Sequence, residues 1–355
     1  MASRIGIHDR LNRISHYDVN VTNLERSRTW YEATTNLKVM WRTKASQDFP
    51  GFGIKNGSFE GYMMKDEKLP RTWPMIHLVQ WKNPGPVGKP NISHAHVGWY
   101  RIVPSVENLR ATRKKVLLQG SEPFTETTPP GTLVKLGPNN PTIDYQVFTV
   151  GDPDGVAVEF VDNACHYTGT GHGGVPATMT TVAHNTANLE KNLPFYTEFL
   201  GLDFLSAVQC KEPIPNVYSP GGGMTGFTGA FMGLRGNLSV FLDYLQWIQS
   251  PDHPTPYQEC NHVGIIRCAI EVDDVEAAYQ TAKELAQKYN FHVDKPEVWD
   301  LGPEAGKVKV VNLQDPEGVG FQLVEQPRYN NFTLHPYGQD AVCGPKWKGA
   351  SDLQL

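Results

Sequence analysis

Apolar and polar residues alternate from Ile14 to Val21, the period of a strand with one buried face. The run ends near Asn23, a residue suited to cap a helix, with Arg26 where a capping box would carry Glu. A further strand is expected from His94 onwards, then a helix over Ser105–Leu118 that Gly120 stops. Gln146–Val150 and Val156–Val161 flank Asp152-Pro-Asp-Gly155 and predict a hairpin, since Pro and Gly supply the turn dihedrals. Beyond residue 177, Thr178–Asn185 predicts a strand and Leu189–Leu202 a helix. Ile265–Val272 predicts another strand, and Asp274–Tyr289 is the most regular amphipathic helix of the chain. Val308–Leu313 and Val319–Val324 predict a closing hairpin.

These elements repeat. Asn23–Tyr31 resembles Asn188–Tyr196 at an offset of 165, and His96-Val97-Gly98 recurs as His262-Val263-Gly264 at 166. Asp152–Val161 recurs as Asp315–Val324 at 163. Three landmarks at a nearly constant offset mark a duplication. Each half divides again into strand, helix and several strands, so the unit occurs four times. This gives an N-terminal domain over residues 1–167, a Gly-rich linker at 168–177, a C-terminal domain at 178–326 and an aperiodic tail at 327–355.

Composition narrows the class. With 33 Gly and 27 Pro in 355 residues, the chain is too turn-rich for a helical bundle or coiled coil. A net charge of −5 gives no broad footprint for nucleic acid or an anionic membrane. The five cysteines form no CxxC pair, which argues against a thiolate metal site or a disulfide scaffold. No apolar run suits a signal peptide or a membrane span, so a cytoplasmic location is expected. Gly221–Gly229 lacks the lysine of a phosphate loop and reads as a turn or lid. Exposed sheet edges would allow a homo-oligomer.

Four βαβββ units, an Asn-Leu pair leading to Trp30-Tyr31 or Phe195-Tyr196, and Asp-Pro-x-Gly hairpins resemble the vicinal oxygen chelate superfamily. That superfamily includes glyoxalases, bleomycin-resistance proteins and type I extradiol dioxygenases. The resemblance implies an α+β fold of four modules paired into two domains, each a cupped mixed sheet with helices outside. Two domains of two modules are the arrangement of the extradiol enzymes. The resemblance also implies a divalent metal in a cup. The matching positions of the first half carry His16, His96 and Glu159, and the helix spacing prefers His96 to His94 as the middle ligand. Two imidazoles and a carboxylate suit Fe(II) that activates O₂, with Mn, Ni, Co or Zn as alternatives.

In the second half the same positions hold Thr181 and Gln322. His262 remains, Arg267 can take the inward position, and His184 has the opposite parity, so no metal is expected there. Pairing His16 with His262 would lack a carboxylate, which favours pairing of the first module with the second. Thr149 stands where the extradiol pattern has a tyrosine, and no His precedes it in that segment. His94 and Tyr145 are the candidate catalytic residues in its place. The implied function is an extradiol-type dioxygenase acting on a small aromatic diol and O₂. The alternatives are a non-redox isomerase, epimerase or lyase, and a metal-free protein that binds a small aromatic.

Overall fold

Among the described residues, each α-helix begins behind a side chain that caps it. Asn23, Asn108, Asn188 and Asp274 stand in extended backbone and accept from the N–H groups of Arg26, Ala111, Lys191 and Ala277. Each satisfies one orphan donor of a helix start. The strand–cap–helix signal occurs four times and defines four modules. The computed structural model describes residues 6–66, 74–91, 93, 95–106, 108–135, 142–162, 178–211, 226–233, 241–248 and 255–325.

The first module holds β1 (Leu11–Asn20), α1 (Leu24–Thr34), β2 (Lys38–Phe49), β3 (Ile54–Lys65) and β4 (Met75–Asn83). The second holds β5 (Gly98–Val106), α2 (Leu109–Leu118), β6 (Leu133–Lys135), β7 (Thr142–Asp144), β8 (Val147–Gly151) and β9 (Ala157–Asp162). The third holds β10 (Thr178–Asn185), α3 (Leu189–Pro194), β11 (Asp203–Cys210), β12 (Phe227–Gly233) and β13 (Phe241–Trp247). The fourth holds β14 (Gly264–Val272), α4 (Val275–Tyr289), β15 (His292–Val293), β16 (Glu297–Asp300), β17 (Lys307–Gln314) and β18 (Gly320–Glu325).

Two elements depart from the pattern reading. Ser105 and Val106 end β5, where Ser105 pairs with both Val161 and Thr178, so α2 starts four residues later than the expected Ser105. Beyond Pro194 the third helix widens into a π-helical turn over Phe195–Phe199. Gly201, at φ +72°, closes that turn, where a Cβ would collide with His8 at 2.1 Å.

The modules do not pair in chain order. One sheet runs β15-β17-β18-β14-β1-β4-β3-β2, with β16 on β17, and joins the first module to the fourth. The other runs β11-β12-β13-β10-β5-β9-β8 and joins the third to the second. Pairing of first with second is therefore corrected. Antiparallel contacts between leading strands, β1 with β14 and β10 with β5, make the two junctions. The connection from β4 to β5 is long enough to carry the second module away from the edge of the first. The Gly-rich linker at 168–177 and the tail at 327–355 lie outside the described residues.

Consecutive modules meet instead through the convex faces of the sheets. Tyr17 of β1 lies edge-on to Trp99 of β5 at 5.4 Å, and the Trp99 indole donates to the Gly320 carbonyl at 3.0 Å. One apolar core thus contains residues of both sheets. Tyr31 of α1 donates to Asp152 at 3.1 Å, and its counterpart Tyr196 donates to Asp315 at 2.6 Å. Burial pushes both aspartates up to about 7 despite these donors. His184 is fully buried among Trp99, Tyr244 and Tyr196, on the convex side that its parity predicts. Among the described residues, no helix is long and apolar enough to cross a membrane.

Replacing Tyr31 or Tyr196 by Phe removes a donor from a buried carboxyl. Each is expected to cost about 1–3 kcal/mol in chemical denaturation. Burial, and then the proximity of His96, lowers His184 from 6.5 to about 3. Its neutral form stabilises the fold fully above 6.5, and that contribution is lost as pH falls toward 3. Asp152 and Asp315 act in the opposite sense, so the readout is the difference from wild type. Urea titrations of His184→Gln between neutral and acid pH should show a stability slope that differs by about one proton. An unchanged slope would contradict the buried neutral imidazole.

Candidate active site

A register slip in β1 between Ile14 and His16 resets the alternation of the strand. Ile14, Tyr17 and Val19 stay in the core, while His16 and Asp18 face the concave side. Asp18 lies beside His77 of β4 in parallel register and opposite Arg267 of β14 in antiparallel register. One rung across three strands therefore carries an imidazole, a carboxylate and a guanidinium. Phe49, Phe59, Trp81 and Trp299 form an apolar cluster in the same cup.

His16, Asp18 and His77 each offer one ligand atom, and the three atoms lie within 4.8 Å of one another. Asp18 Oδ1 is 2.7 Å from His77 Nδ1 and 3.6 Å from His16 Nε2. Its other oxygen accepts from Arg267 Nε. The far nitrogen of each imidazole meets a hydroxyl, Ser15 Oγ at 3.1 Å from His16 Nδ1 and Thr43 Oγ1 at 2.8 Å from His77 Nε2. A hydroxyl can donate or accept. The near nitrogen can therefore present either a proton to Asp18 or a lone pair to a cation.

All three side chains are buried. Burial, with help from His77 and Arg267, outweighs Asp18 and pushes His16 down to about 3. Burial alone would raise Asp18, but Arg267 and His77 hold its carboxyl well below the usual range. A neutral imidazole and an ionised carboxylate are the forms a metal requires. Two nitrogens and one oxygen converging, with their outer atoms fixed by hydroxyls and a guanidinium, fit a divalent ion.

The expected ligands His16, His96 and Glu159 do not converge, because Glu159 follows the second module into the other sheet. There its carboxylate is 3.4 Å from Arg101 Nε, and Asp243 is 3.9 Å from Arg101 Nη2. Burial pushes Asp243 up to about 7, with Arg101 opposing and Glu159 reinforcing. Tyr145 is half-buried against the apolar cluster of this second cup, beside Glu159's sheet rather than His16. A central guanidinium, with no imidazole beside it among the described residues, does not suit a divalent ion there. His96 lies before β5 with its ring 4.6 Å from Tyr257, which stacks on His262 at 4.0 Å. Burial, and then His262, brings His96 down to about 4. His94 lies outside the described residues. Thr181 sits on β10 opposite Val103, and Gln322 reaches the first cup, where it donates to Asn312 at 2.9 Å.

Asp18 and His77 are the residues that pattern reading missed. Asp18 shares the face of His16 two positions on, a signal that period-two alternation carries. His77 has Asp243 as its counterpart at the repeat offset of 166, as Arg101 has Arg267. That offset would have aligned both cups.

The crystal structure of glyoxalase I from Zea mays is similar to this chain with a TM-score of 0.58 at 17% identity, over 88% of this chain and 92% of that one. A Bacillus subtilis protein provisionally named a dioxygenase is similar with a TM-score of 0.51 at 13% identity, over 89% and 86%. At these identities the likeness is one of fold. Comparison with curated protein sequences gives no match. The Glyoxalase/Bleomycin resistance protein/Dioxygenase superfamily matches twice by sequence, over residues 13–160 and 178–323. The protein belongs to that superfamily.

Proposed function

We propose that the protein is a metal-dependent enzyme whose ion is held by His16 Nε2, Asp18 Oδ1 and His77 Nδ1, and whose substrate is a small molecule that chelates through two oxygens. The observation that carries this reading is the convergence of those three atoms, with Ser15, Thr43 and Arg267 occupying their outer sides. A divalent ion bound there would polarise the substrate oxygens and, as Fe(II), would bring O₂ beside them. Oxygenation of an aromatic diol is the first reading, because two imidazoles and one carboxylate suit Fe(II).

The chain's own residues would do the rest. Arg267 keeps Asp18 ionised and oriented. Ser15 and Thr43 would orient the imidazole rings through their outer nitrogens. Phe49, Phe59 and Trp81, all fully buried, would keep water from the ligand atoms. A second reading follows from Arg267, whose fixed positive charge beside the ligands would steady an enolate in a non-redox isomerase or lyase using Mn, Ni, Co or Zn.

Elemental analysis of protein purified anaerobically and reconstituted with each ion tests the site. Wild type and Glu159→Ala should hold a stoichiometric metal, and Asp18→Asn and His77→Ala should lose it. Thr43→Val should weaken binding by about tenfold. Metal retained in Asp18→Asn and His77→Ala would remove this site. Oxygen uptake with catechols then separates the readings, since consumption supports the dioxygenase and turnover without uptake supports the non-redox enzyme.

A further inference from the structure

The second cup gathers charge that its own side chains do not satisfy. Asp243 of β13, Ala183 of β10, Arg101 of β5 and Ala157 of β9 lie side by side across four strands. Glu159, two residues past Ala157, shares their face, and Thr149 stands opposite it on β8. Val103, Val161, Leu245 and Trp247 continue the same parity and belong to the apolar cluster of this cup. Glu159 Oε1 is 3.4 Å from Arg101 Nε, and both atoms are buried without a hydrogen bond. Asp243 Oδ2 is 3.9 Å from Arg101 Nη2, which is also beyond hydrogen-bond reach. Thr149 Oγ1 meets the other oxygen of Glu159 at a long 3.4 Å.

We infer that this cup binds a small organic ammonium ion, with Glu159 Oε1 and Asp243 Oδ2 as its acceptors. Two carboxylates face one guanidinium, and among the described residues no second cation lies within ion-pair distance of either. One negative charge is left over, and a buried charge without a counter-ion is costly. Nε and Nη2 form one edge of the planar guanidinium, so both carboxylates border the same side of Arg101. An ammonium brings the counter-charge and the missing donors together, since its three N–H groups can meet two carboxylates at once.

The contrast with the first cup lies in one side chain. Ala183 stands beside Arg101 where Asp18 stands beside Arg267. Asp18 accepts from Arg267 Nε, whereas the methyl group of Ala183 leaves Arg101 Nε without an acceptor. Phe231, opposite Asp243 on β12, and Tyr145 are half-buried against the apolar cluster. Aromatic side chains beside carboxylates suit a cation with an apolar body. Asp243 keeps 11% of its side chain exposed, so the ligand approaches from β13. Burial, opposed by Arg101 and reinforced by Glu159, draws Asp243 up to about 7, the direction expected of a carboxylate that lacks a cation of its own. This site is separate from the triad and goes beyond the proposed function.

Calorimetry on the full chain tests the inference with benzylammonium, benzyl alcohol and potassium chloride as probes. Benzylammonium should bind about tenfold more tightly than benzyl alcohol, its neutral counterpart, and potassium at equal concentration should not displace it. Glu159→Gln and Asp243→Asn each keep the shape of the side chain and remove one negative charge. Each should weaken benzylammonium by about tenfold and leave benzyl alcohol and the metal content of the first cup unchanged. No saturable binding of benzylammonium to wild type, equal binding of ammonium and alcohol, full displacement by potassium, or unchanged affinity in both variants would overturn it. The comparison of probes on wild type needs neither substitution, so a variant that fails to fold leaves the test intact. Wild type that takes up no metal yet prefers the ammonium would uphold this cup and reject the triad. Bound metal with no preference for the ammonium would do the reverse.

Discussion

The candidate site depends on the ion pair between Asp18 and Arg267. It joins the leading strands of two modules far apart in sequence. Asp18 is fully buried, and Arg267 first, then His77 and His16, keep its carboxylate charged there. Breaking such a pair by removing one partner typically costs about 3–5 kcal/mol, because the remaining charge is stranded. The same carboxylate turns its second oxygen to the two imidazoles. A structural contact and a chemical one therefore share one side chain, and a change at the junction between β1 and β14 reaches the site directly.

The two cups show how a duplicated frame diverges. Arg101 and Arg267 occupy matching positions, as do Asp243 and His77, and Glu159 and Gln322. In the first cup the acid partner of the arginine comes from β1, which leaves β4 free to supply an imidazole. In the second, the partners come from β9 and β13, and β1's counterpart, β10, contributes Thr181 and Ala183. The frame fixes where an arginine stands. Which strand supplies its counter-charge decides whether imidazoles can gather around it.

Most elements were legible because their signals are local. The caps at Asn23, Asn188 and Asp274, the hairpin turns at Asp152 and Asp315, and the alternation of β1 and β10 all act within a few residues. His16 was legible as a candidate ligand for the same reason. The partner of β1 was not, because strand periodicity says which face is buried but not which edge is occupied. Chain order suggested β5, and the edge is taken by β14. That one difference moved Glu159 to the other cup and set Arg267 opposite Asp18, beside the imidazole that β4 of the same module supplies. β4 itself, a nearly continuous buried strand at Met75–Trp81, carries little alternation to mark His77.

The interleaved order of the modules has a consequence for synthesis. Asp18 and Arg267 are 249 residues apart. At about 5–20 residues per second, β1 leaves the ribosome roughly ten to fifty seconds before its partner exists. The second and third modules, adjacent in the chain, can close their sheet in that interval. The first module must meanwhile carry an open strand edge and a buried-type carboxylate without its cation. The nascent chain thus builds the cup without the triad first, and the cup with it can close only when the last module has emerged.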